Sequence, residues 1–175
     1  VVQPASARGG ALHQPLSNVG EILQYARDTQ IAYESLGKMA LPRKLAEQIA
    51  GDSSCKWTVF RGIRGHGGDA LPIALTDAWF HERLDAAVAR FDLGGGTLFS
   101  QIEALAGISV GRVTQDIQAV VAPPEIAAAL GIARRAPSLR ILRCYYDAGG
   151  ALFEISVSHH PGDRFAYAMH IDVDG

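Results

Sequence analysis

The sequence predicts an α+β fold, an antiparallel sheet with helices packed on one side or end. Strand-like segments outnumber helical ones, and most neighbouring strands are joined by hairpin-like turns. The strict strand–helix alternation of a parallel doubly wound sheet is absent. With 175 residues and 48% hydrophobic content, the chain is long enough for one domain with its own core.

Residues 1–15 are rich in Ala, Gly, Ser and Gln and read as a linker or frayed terminus. Residues 17–27 carry Val19, Ile22, Leu23 and Ala26 at helical spacing, with Ser17 or Asn18 able to cap them. A strand is expected over 29–36. Leu41-Pro42 then opens a helix running to Ala50 and closed by Gly51, proline being tolerated where the first-turn N–H has no partner. Strands follow over 57–64 and 72–80, separated by the glycine-rich turn 65–69. Residues 81–89 read as a helix. Thr97 is placed to cap an amphipathic helix over 97–105, after Gly94-Gly95-Gly96. A long strand is expected over 111–121.

The next stretch repeats an earlier one about eighty residues on. Pro123-Pro124 leads into a helix over 125–130, then come a strand over 139–147, the turn Ala148-Gly149-Gly150 and a strand over 152–160. Thr58-Val59-Phe60-Arg61 falls on Arg140-Ile141-Leu142-Arg143, which suggests a weak internal duplication; coincidence within an α+β chain is the alternative. A final strand is expected over 165–173.

Composition narrows the function. A net charge of −2 with scattered Lys and Arg lacks the basic face a DNA binder needs to neutralise phosphates. Cys55 and Cys144 form no CxxC pair and no disulfide framework, so a cytoplasmic compartment is expected. No apolar run approaches the roughly 20 residues of a membrane span. Neither a P-loop, nor a dinucleotide fingerprint, nor a GxSxG elbow occurs. His159 and His160 are adjacent on a strand and point to opposite faces, so they cannot chelate a metal together. No metal or cofactor is expected.

Two strands carry candidate chemistry. Period-two alternation puts Glu154, Ser156, Ser158 and His160 on one face, with Phe153, Ile155 and Val157 on the other. The polar row is either a solvated face, which the pattern alone favours, or the floor of a polar pocket. Arg61 shares a strand face with Trp57, Val59 and Ile63, and a charge there needs a partner. A ligand carboxylate or phosphate would serve, and so would an internal Asp or Glu.

Several segments in order resemble a known family: Ala128-Ala129-Leu130-Gly131-Ile132, then the run from Leu139 to Asp147, Gly150, Phe153-Glu154 and Pro161-Gly162-Asp163-Arg164-Phe165. Leu45-Ala46, Arg61, Pro72-Ile73-Ala74-Leu75 and Thr97-Leu98-Phe99 agree in the first half. Together they resemble the UTRA effector-binding domain of GntR-type transcription regulators, HutC subfamily. The resemblance implies a chorismate-lyase-like fold over residues 16–175, a small-molecule pocket and a homodimer. DNA would be bound only through a winged helix-turn-helix N-terminal to residues 1–15, and Val1-Val2 resembles the last strand of such a wing.

The family's pocket carries over unevenly. Its arginine pair falls on Arg61 and Ile63, with Arg64 one position out of register. Its serine is Thr97, its following tyrosine Phe99, its glutamate Glu154, and a later tyrosine His160; an acidic position is Thr76. Arg61, Arg64, Thr76, Thr97, Phe99, Glu154, Ser156, His160 and Tyr167 are therefore the candidate ligand-binding residues. Arg61, Thr97, Glu154 and His160 are expected to converge on a small anionic metabolite. His160 is expected to titrate near neutrality and strengthen anion binding toward pH 6. Two rivals remain: a chorismate-lyase-like enzyme using Arg61 and Glu154, and a dimerisation module in which those two residues pair with each other.

Overall fold

A computed structural model describes the backbone of residues 12–14 and all of 29–49, 54–66 and 71–167. Its centre is a six-stranded antiparallel sheet in the order β2-β3-β4-β7-β6-β5. The strands are β2 (Gln30–Ala40), β3 (Lys56–Gly65), β4 (Ala74–His81), β5 (Val110–Val121), β6 (Pro137–Asp147) and β7 (Leu152–Pro161). Four helices accompany them: α1 (Arg43–Ile49), α2 (Asp85–Val88), α3 (Leu98–Ala106) and α4 (Pro124–Leu130). Two short strands, β1 (Leu12–Gln14) and β8 (Phe165–Tyr167), pair in parallel. β1 lies inside the segment expected as linker. The helix expected over 17–27, the cap at Gly51, most of the turn 65–69 and the strand beyond Tyr167 fall outside the described residues.

The duplication is visible in the topology. β2-α1-β3-β4 and β5-α4-β6-β7 follow the same course, and the sheet order is symmetric about the β4–β7 pair. Each unit enters its helix through proline: the Pro42 carbonyl accepts the Leu45 and Ala46 amides, and Pro124 opens α4 behind Pro123. The alignment of Arg61 on Arg143 is out of step by one residue. Arg61 lies opposite Asp77, which lies opposite Val157, which lies opposite Leu142. The structural counterpart of Arg61 is thus of Leu142 parity, and Arg143 points the other way.

Helices cover both faces of the sheet, which corrects the one-sided arrangement expected. On the first face, Trp57, Val59, Trp79, Leu142 and Ile155 form a core under Leu45 and Ala46 of α1, and Leu75 packs with Ile126 and Leu130 of α4. On the second, Phe60, Phe80, Tyr145 and Phe153 pack under Leu84, Val88, Leu98, Phe99 and Ile102. Phe153 belongs to this second core because a β-bulge between Tyr145 and Tyr146 breaks the alternation there. The helix expected over 81–89 is shorter than the sequence pattern, since β4 runs on to His81 and a 3-10 turn precedes α2. Thr97 caps α3 as expected, its hydroxyl accepting the Ser100 amide at 3.3 Å. No helix among the described residues is long and apolar enough to cross a membrane.

Candidate functional site

The strand register sorts the candidate residues between the two faces. Arg64 pairs across to Ala74, Thr76 to Ser158, and Ser156 to Arg143. Parity then gathers Arg64, Thr76, Arg143, Ser156, Ser158 and His160 on the α3 side, with Glu154 at the edge of the aromatic core. All but Thr76 are buried; Glu154 and His160 are each 3% exposed, Arg143 7% and Arg64 8%. The solvated reading of the polar strand is therefore incorrect.

Arg61 does not join them. It lies opposite Asp77 on the α1/α4 face and holds that carboxylate in two bonds, Nε–Oδ1 at 2.7 Å and Nη2–Oδ2 at 2.8 Å. The Asp77 bonds hold its pKa above the usual arginine value. Arg61 and Glu154 are on opposite sides of the sheet, so the expected convergence of Arg61 with Glu154 and His160 does not occur, and neither does the alternative in which Arg61 and Glu154 pair. The internal acid, Asp77, took the place a ligand would have filled.

On the α3 face the bonds are sparser. Thr76 and Ser158 share a hydroxyl–hydroxyl bond of 2.8 Å. Arg64 donates to Thr29, and Arg143 Nε donates to Gln115 Oε1 at 2.7 Å. The Tyr145 hydroxyl bonds Ser156 and Arg143. Tyr33 reaches over β3 from β2 and bonds the Leu98 backbone at the start of α3. It can do so because position 62 is glycine: a Cβ there would fall 2.6 Å from Tyr33 and Ile31 side-chain carbons. Three buried polar atoms on this face have no partner among the described residues: Arg143 Nη2, Glu154 Oε2 and His160 Nδ1.

Burial, and then the Glu103 carboxylate on α3, push the Glu154 carboxyl up to about 8. Burial, followed by the Arg143 and Arg64 guanidiniums, drives His160 down to about 3. His160 is then neutral at physiological pH and does not titrate near neutrality, which corrects that expectation. Two guanidiniums thus act on the His160 ring, and Glu154, further along the same strand face, keeps its proton.

The other candidates frame this cluster. The Thr97 hydroxyl is spent on the cap and on Ser100 Oγ at 2.8 Å. Phe99 stacks against Tyr145 with ring centroids 4.9 Å apart, and Phe165 of β8 stacks on His160 at 4.0 Å. Tyr167, two residues further on, is half-buried. Sequence reasoning missed Arg143, Tyr145 and Tyr33. The first two share the parity of Glu154 only once β6 is paired with β7.

Sequence comparison matches the UTRA domain over residues 26–166. The chain belongs to the UTRA family. This UTRA domain is 30% identical over 101 residues to the HTH-type transcriptional regulator Rv0792c of Mycobacterium tuberculosis, a match covering 56% of this chain and 38% of that protein. It is 33% identical over 76 residues to the HTH-type transcriptional repressor NagR of Bacillus subtilis, covering 43% and 31%. These matches span only about a third of the length of either curated relative. In fold, this UTRA domain is similar to the effector domain of PhnF from Mycobacterium smegmatis, with a TM-score of 0.75 at 20% identity over 93% of this chain and all of that one.

Proposed function

We propose that this UTRA domain is the ligand-sensing part of a GntR-type transcription regulator of the HutC subfamily. Its effector is a small anionic metabolite bound on the α3 face, between the polar floor of β7 and the start of α3. One observation carries this reading: Arg143 is buried on the α3 face, and its Nη2 has no partner among the described residues. Burying a cation without counter-charge is costly. Glu154 on that face supplies no counter-charge at neutral pH because its pKa lies near 8, and the Glu103 carboxylate of α3 accepts the Val110 amide at 3.4 Å. A phosphate or carboxylate would supply the charge and complete the bonds. Neutral His160 and protonated Glu154 would then bond hydroxyl or amine groups of the effector.

The domain acts as a cytoplasmic homodimer, isologous as twofold pairs are. It contacts DNA only through a separate N-terminal winged helix-turn-helix, and it is a sensor rather than an enzyme. Both curated relatives carry regulator names, which favours this over the lyase-like alternative. A thermal-shift screen of phosphosugars, carboxylated metabolites and their neutral counterparts tests it. A ligand at a hundred times its Kd adds about 2.7 kcal/mol of stability. Stabilisation is expected from a subset of anions and not from their neutral counterparts; equal shifts from both, or from neither, would contradict it.

A further inference from the structure

The opposite face of the sheet has a cleft of its own, of about 580 Å³, between α1 and α4. That volume falls within the roughly 300–1,000 Å³ usual for small-molecule sites. It straddles the β4–β7 pair about which the sheet order is symmetric, with Pro42 on one flank and Pro123 on the other. Its walls are largely apolar, from Leu45, Trp79, Val120 and Val157, and Val121 at its rim is 54% exposed.

Three polar groups distinguish it from a plain apolar groove. Arg140 donates to neutral amide oxygens, Gln48 Oε1 at 3.2 Å and Gln118 Oε1 at 3.3 Å; its acidic neighbour Asp116 acts on it through space and takes a bond from Gln48 Nε2 at 3.4 Å instead. Trp79 is 6% exposed, and its Nε1 has no acceptor among the described residues. His159 lines the same cleft, and its Nδ1 also has no partner among them. Burial, and then Arg140, hold the His159 pKa below the ordinary value, so the ring is neutral at physiological pH, and the other cation lining the α1 flank is the exposed Lys44. Asp77, the acid in the cleft wall, is already held by both of its oxygens on Arg61. The cleft therefore combines a guanidinium with no carboxylate bonded to it among the described residues, ring nitrogens without a partner among them, and apolar walls. Buried donors without acceptors are rare in folded proteins, because each forfeits the hydrogen bond it had in water.

We infer that this cleft is a second ligand site, taking a small monocarboxylate with an aromatic or branched apolar body. The carboxylate pairs with Arg140, whose planar fork matches two carboxylate oxygens, and the apolar body lies against Trp79 and Val157. A guanidinium already in the field of the Asp116 carboxylate suits a monoanion better than a phosphate dianion. The site lies across the sheet from Arg64 and Arg143, so it stands or falls independently of the effector reading.

Benzoate is a suitable probe, with benzamide as its neutral isostere. The chain has two tryptophans, so the indole N–H signals in a ¹H–¹⁵N spectrum are assignable with the Trp79→Phe variant. Benzoate is expected to shift the Trp79 signal saturably, leaving Trp57 in place, and benzamide to do so at least about tenfold more weakly. Arg140→Gln should weaken benzoate by a similar factor, and Arg143→Gln should leave it unchanged. The inference is overturned by an unsaturable or absent shift, by equal binding of benzamide, or by loss of binding in Arg143→Gln with retention in Arg140→Gln. If Arg140→Gln fails to fold, the comparison of benzoate with benzamide on the unaltered chain decides.

Discussion

The two faces of one sheet treat an arginine in opposite ways. Arg61 and Arg64 stand three residues apart on β3, and their odd separation turns them to opposite sides. On the α1/α4 face a carboxylate waits directly across the strand pair, and Arg61 closes on Asp77 with both guanidinium edges used. On the α3 face the residue across from Arg143 is Ser156. Glu154, on that face, keeps its proton up to about pH 8. The first face has spent its Arg61 charge on Asp77, and the second leaves Arg143 Nη2 without a partner among the described residues. What separates Arg61 from Arg143 here is the cross-strand neighbour, not the arginine.

The largest expected effect probes the aromatic end of the α3 face. Phe80, fully buried and paired in register with Glu154, anchors the cluster that carries α3. Phe80→Ala should cost about 3–5 kcal/mol in chemical denaturation. A loss below about 1 kcal/mol would mean that this end of the face is not a packed core, and α3 would lose its role as a fixed wall.

A second effect comes from pH. Glu154 keeps its proton in the folded chain to about 8, against an ordinary 4.5 when unfolded. The folded state holds the extra proton in that window, so stability falls as pH rises through it. His160 has the opposite sign: its folded pKa of about 3 lies below the ordinary 6.5, so its contribution grows as pH rises from 3 to 6.5. The two slopes cancel between 4.5 and 6.5, leaving a net decline from 6.5 to 8 at about 1.4 kcal/mol per pH unit, about 2 kcal/mol in all. Denaturation midpoints across pH should show that decline, and Glu154→Gln should flatten it. A flat alkaline limb in the unaltered chain would place Glu154 in contact with water.

A smaller effect belongs to the other face. Arg61 and Asp77 side chains are 30% and 21% exposed, so either can recover hydration when its partner is removed. Asp77→Ala should cost about 1 kcal/mol. A cost above about 3 kcal/mol would show the α1/α4 face to be as dry as the α3 face, and the contrast between the two would disappear.

Much of this was legible beforehand. Period two placed Glu154, Ser156, Ser158 and His160 together and split His159 from His160, and the proline-led repeat anticipated the symmetric sheet. The alternation of β3 was also right as far as it went: Arg61 does share a face with Trp57 and Val59. What one strand cannot say is which of its faces meets the polar face of another, because that depends on pairing register between residues far apart in the chain. The burial of the polar row was hidden for a related reason. An alternating polar strand looks the same whether water or α3 with Phe165 covers it, and only the packing of separate elements decides. The bulge at Phe153 could not be read from alternation, since a bulge is a departure from it.

Isothermal titration of inorganic phosphate at pH 7 into the unaltered chain, Arg143→Gln and Arg61→Gln tests the assignment of the anion to the α3 face most directly. The unaltered chain and Arg61→Gln should bind phosphate with Kd values within about threefold of each other, because Arg61 is committed to Asp77, while Arg143→Gln should bind about ten- to a hundredfold more weakly. Loss of phosphate binding in Arg61→Gln with full retention in Arg143→Gln would contradict the account and return the anion to the face where Arg61 stands.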